Sequence, residues 1–62
     1  MMANFIEVTH ADTRFGKNLI NIDHVTLIRH FDGITEIFFD DNTDSGLRVK
    51  ESYEEIRRMV WG

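Results

Sequence analysis

The chain has 62 residues, no cysteine and no proline, and it carries eleven acidic against seven basic side chains for a net charge of −4. The missing cysteine excludes disulfides, iron–sulfur clusters, thiolate zinc sites and a cysteine nucleophile, and suits a cytoplasmic chain. The acidic balance argues against binding a nucleic-acid backbone, which needs Lys and Arg gathered on one face.

An apolar share of 42% with 29% charged residues is a globular balance, not a disordered one. Residues 1–62 therefore form a single domain. No apolar run exceeds three residues, far short of the ~18 a membrane span needs. The opening MMANFIE has neither the basic flank nor the apolar stretch of a signal peptide. A chain of this mass should expose roughly 4,200 Å² when folded, burying about 60% of its extended surface. That burial contributes on the order of 95 kcal/mol. Ordering the chain costs on the order of 90. A partner surface would add usefully to so thin a margin.

Residues 4–10 alternate, with Ile6 and Val8 on one face and Phe5, Glu7 and Thr9 on the other, which predicts a first strand. Residues 11–16 are polar and suit a hairpin loop. Residues 17–22 make strand two, with Ile20 and Ile22 on one face and Leu19 on the other. Asn21 and Asp23 then break the alternation. Their side chains bond readily to nearby backbone, so a turn or a single helical turn is expected there. Strand three runs over 25–31. Asp32-Gly33 is the strongest hairpin signal, because a type I′ turn needs positive φ at both central positions. Strand four covers 34–40, a polar loop 41–46, and a short strand five 47–50 with Leu47 and Val49 inward.

Ser52-Tyr53-Glu54-Glu55 is a capping box and predicts a helix from there to about Trp61. Tyr53, Ile56, Met59 and Val60 form its apolar stripe. That stripe should cover a sheet face made by Ile6, Val8, Ile20, Ile22, Ile28, Ile37, Phe39, Leu47 and Val49. The fold class is α+β: an antiparallel, curled sheet of four to five strands with one C-terminal helix.

The same alternation sends Phe5, Leu19, Leu27, Phe31, Ile34 and Phe38 to the opposite face. A solvated sheet face should be mostly polar. Either the sheet curls enough to bury both sides, or this face or a free edge packs against another copy. The second alternative predicts a homo-oligomer, most simply a twofold dimer. Phe5, Phe31, Phe38 and Trp61 are the expected contact residues. Trp61 lies off the centre of the helix stripe, and Trp is enriched where proteins meet.

Catalytic and cofactor chemistry finds little footing. His10, His24 and His30 fit no helical metal motif, and no nucleophile triad, phosphate-cradling loop or His-Glu-x-x-His segment occurs. Residues 40–51 resemble a calcium loop in their acidic spacing, with Asp40, Asn42 and Asp44 at positions one, three and five and Glu51 at twelve. Position six is Ser45 where such loops need glycine. No catalytic, cofactor-binding or metal-ligating residue is assigned, and no cofactor is expected.

Two segments resemble a known family. Residues 19–25 (LINIDHV) are similar to the LNxDxI segment of the FlbD/SwrD-type small flagellar and swarming-motility proteins. Residues 49–56 (VKESYEEI) are similar to their VKES-x-EE-(V/I) segment. The resemblance implies a motility accessory factor with no enzymatic residues. The residues themselves lead to a small, non-enzymatic, self-associating protein-interaction module that docks on a larger assembly. A motility factor and an acidic-loop metal binder are the alternatives.

Overall fold

A computed structural model describes residues 4–40 and 42–61, and for residues 42–45 the backbone alone. Five strands and one helix follow in order: β1 (Phe5–Thr9), β2 (Lys17–Asn21), β3 (Val25–Phe31), β4 (Ile34–Phe39), β5 (Asn42–Val49) and α1 (Tyr53–Trp61). β1 and β2 form an antiparallel hairpin, and β3, β4 and β5 an antiparallel meander. The expected α+β class is the one observed.

The two sheets meet where the chain leaves β1. His10 pairs antiparallel with Val49, the Ala11 amide donates to the Arg48 carbonyl, and the Lys50 amide donates to the Thr9 carbonyl, each at 2.9 Å. The spatial order is therefore β2-β1-β5-β4-β3, with β2 and β3 at the two edges. Glu51 reinforces this junction. Both its carboxylate oxygens accept from the Thr9 amide, at 2.8 and 3.0 Å.

Local chemistry accounts for the turns. Asp32 and Gly33 hold φ of 55° and 75°, the I′ geometry that joins β3 to β4. Between β1 and β2, Asp12 caps a single 3₁₀ turn over Thr13–Phe15, and Gly16 ends it at φ 61°. This turn sits inside the expected loop. Asn21 accepts from the Asp23 amide at 3.0 Å and starts a second 3₁₀ turn, Ile22–His24, where a break was expected. The corner is tied to the end of β4 by the Asp40 amide on the His24 carbonyl and by His24 Nδ1 beside Asp40 Oδ2, 3.1 Å apart.

The core is Ile6, Val8, Ile20, Ile37, Val49 and Ile56, with Ile22, Val25, Ile28, Phe39, Leu47 and Val60 packed around it. Every residue expected on the inner sheet face is present. Two expectations need correction. β5 begins at Asn42, not Leu47, because Phe39 pairs with Asn42 inside the stretch where a polar loop over 41–46 was expected. Met59 is 38% exposed, so it does not share the buried stripe. Helix α1 packs over β3. Taking Ile56 as the reference at about 100° per residue, Tyr53 and Val60 lie some 40–60° to one side and Met59 about 60° to the other. The sheet lies under the first side only.

Candidate functional site

The face opposite α1 is organised in rows by the strand register. Leu27 lies opposite Phe38, Arg29 opposite Glu36, and Phe31 opposite Ile34, while Glu36 is also opposite Arg48. Glu36 is thus the centre of a three-strand row. Arg29 Nη2 donates to its Oε1 at 2.9 Å, and Arg48 Nε lies 3.7 Å from Oε2. The Glu36 side chain is only 9% exposed although it points away from the core. The hydrogen bond from Arg29, together with both arginine charges, holds its carboxyl below the usual range against the opposing effect of burial.

The Arg29 guanidinium also lies over two rings, 5.4 Å from the centroid of Phe31 and 5.1 Å from that of Phe38. One cation thus joins the apolar and charged parts of the face. Phe31 remains 57% exposed, and Leu27, Phe5 and Leu19 are at least half exposed. Phe38 is half-buried beneath Arg29 and against Gly46. Phe5 and Leu19 sit on the hairpin, beyond β5 in the strand order, so they are separate from the group on β3 and β4. Trp61 is 75% exposed at the end of α1, with the Arg57 guanidinium 4.9 Å from its ring. The Arg57–Trp61 spacing of four residues is the sequence signal for that contact.

Sequence reasoning missed the shallow apolar groove along the outer edge of β3. It has a volume of about 230 Å³ and is lined by Ile22, Val25, Thr26, Leu27, Ile28 and Val60. A neighbouring depression continues it between Ile28, Tyr53, Arg57, Val60 and Trp61. The groove joins parts of the chain far apart in sequence, and only the position of α1 creates it.

The histidines are scattered among structural contacts. His10 Nδ1 accepts from the Asp12 amide at 2.9 Å and its ring rests against Phe15. His24 stands beside Asp40, and His30 faces Tyr53 at 6.1 Å. Among the described residues no group of three or more His, Asp or Glu side chains is placed to hold a metal ion. The calcium-loop reading of residues 40–44 falls largely on side chains outside the described residues. Glu51, its twelfth position, is engaged with Thr9. No helix among the described residues is long and apolar enough to cross a membrane. Comparisons with protein-family models, with curated proteins and with solved structures gave no match.

Proposed function

We propose that this chain is a small, non-enzymatic protein-interaction module that self-associates, most simply as a twofold dimer, and presents that assembly to a larger partner. The observation that carries the reading is the exposure of Phe31 and Leu27 on the face away from α1, with Phe5 and Leu19 on the hairpin and Trp61 at the helix end. Large apolar groups left exposed on so small a domain favour burial against another surface. The shallow depressions around them suit a protein surface better than an enclosed small molecule. The reading places the module in the cytoplasm, where a small domain need not carry disulfides.

Sedimentation or light scattering between about 1 and 100 µM tests it. Self-association gives twice the 7.3 kDa chain mass and a melting midpoint that rises with concentration. A monomer throughout, with a constant midpoint, would remove the reading. Phe31→Glu is the informative variant, because Phe31 is exposed in the single chain, whereas Phe38→Glu would also disturb packing against Gly46.

The motility alternative rests on the resemblance of residues 19–25 and 49–56. These segments meet in the core through Ile20, Val49 and Ile56, which supports a shared packing arrangement more directly than a shared partner. Loss of swarming on deletion in a motile host would favour it.

A further inference from the structure

Strand β3 has one edge without a strand partner. The I′ turn makes Phe31–Ile34 a hydrogen-bonded pair, and the bonded and non-bonded pairs alternate from there. Arg29 and Leu27 therefore bond to β4, while the N–H and C=O groups of His30 and Ile28 point away from it. β3 is seven residues long, with neither Pro nor Lys, and its one arginine is engaged by Glu36. The only edge-blunting device along it is an irregularity between Val25 and Leu27. The other edge strand, β2, is shorter and begins with Lys17.

We propose that the edge of β3 pairs antiparallel with β3 of a second copy, about a twofold axis at Ile28. This inference rests on the self-association proposed above and gives it a location. Two observations favour a second copy as the occupant. The first is register. With Ile28 opposite its own equivalent, Thr26 faces His30 and Leu27 faces Arg29, so no two like charges stand opposite each other. About four backbone hydrogen bonds then form, two between the Ile28 residues and one from each His30 amide to the opposing Thr26 carbonyl, the Thr26 amide itself lying at the irregularity of β3. A register centred on Arg29 would oppose two guanidinium groups.

The second is charge. The chain carries −4 overall, yet β3 contains none of its eleven acidic residues. The other edge strand, β2, has none either, so charge admits pairing along β3 and the greater length of β3 favours it over β2. Edge pairing also brings Leu27, Phe31 and the groove around Ile28 and Val60 against their counterparts.

The test blocks the edge and spares both faces. In His30→Pro the ring replaces an N–H that β4 does not use, and Pro is tolerated on an edge strand in that position. It removes one bond in each copy and should weaken dimerisation on the order of 30-fold or more. A synthetic chain with an N-methylated Ile28 amide makes the same cut with every side chain retained. Sedimentation should show both as folded monomers at concentrations where the unmodified chain is dimeric. Amide hydrogen exchange on the unmodified chain provides a readout that needs no variant. Ile28 and His30 amides should be protected in the dimer and lose protection on dilution. If those amides exchange freely in the dimer, or if the blocked chains dimerise undiminished while Phe5→Glu or Leu19→Glu abolishes association, edge pairing is wrong and self-association stands. If the unmodified chain is monomeric at 100 µM, both fall.

Discussion

Phe38 lies directly over Gly46: a side chain placed on the glycine would begin 3.1 Å from the tip of the phenylalanine ring, 3.1 Å from the Ile37 carbonyl oxygen and 2.7 Å from Glu36 Cγ. The contact occurs where the β4–β5 register shifts between Ile37 and Phe39. The glycine leaves room for the ring and for the Glu36 stem, so an aromatic group on the outer face can lie down against the backbone.

Gly46→Ala should therefore destabilise the fold, although the φ at this glycine lies outside the left-handed region. A backbone carbonyl and a mid-chain carbon are the obstacles, and neither moves freely. The cost expected for such overpacking is about 1–3 kcal/mol. An unchanged urea midpoint would mean that Phe38 does not occupy this position.

The start of α1 is reciprocally capped. The Glu55 amide donates to Ser52 Oγ at 3.1 Å, and the Ser52 amide donates to Glu55 Oε1 at 2.8 Å. Ser52→Ala should cost about 1 kcal/mol. Once the serine is gone, Glu55→Ala should cost less than it does alone, because the two bonds act as one unit. Strict additivity in a double-mutant denaturation cycle would show that the box is not formed.

Ile56 and Met59 separate the two sides of the helix. Ile56 is fully buried, so Ile56→Ala should cost about 2–5 kcal/mol, enough to unfold a domain this small at ambient temperature. Met59 is substantially exposed, and Met59→Ala should change stability by less than about 1 kcal/mol. Circular dichroism melts of the two variants would distinguish them. Equal losses would restore Met59 to the buried stripe.

Glu36 and Glu51 make stability depend on acid. Burial raises the Glu51 carboxyl, but the Thr9 amide and the charge of Lys17 outweigh it and leave the group below its ordinary value of 4.5. The hydrogen bond and charge of Arg29, aided by Arg48, lower Glu36. A carboxylate whose folded pKa is depressed stabilises the fold fully above its unfolded pKa, and that stability is lost as pH falls through the folded value. Unfolding free energy should thus be level near neutrality and fall below about pH 4.5. Glu51→Gln should be less stable at pH 7 and show a shallower decline in acid. Because Glu51 is close to solvent, salt should weaken the effect. An unaltered pH profile would remove Glu51 from the junction between the sheets.

Much of the architecture follows from local chemistry that the sequence carries openly. Asp32-Gly33 dictates the I′ turn, because few other pairs accept positive φ twice. Ser52 and Glu55 start the helix, because each supplies the bond the other's amide lacks. The alternation through Ile6, Val8, Ile20, Ile28, Ile37 and Val49 assigns one sheet face to the core, because side chains in a strand point alternately to opposite sides. What the tertiary structure decided involves residues distant in the chain. Glu51 reaching Thr9 and His10 pairing with Val49 join two sheets that no local pattern links. The side of α1 on which the sheet lies exposes Met59, half-buries Val60 and opens the groove beside Ile28. Glu36 reads as one more polar residue on a solvated face. It is shielded from water only because Arg29, Phe38 and Gly46 come together around it, and such an assembly arises when strands pair, not while they are read one at a time.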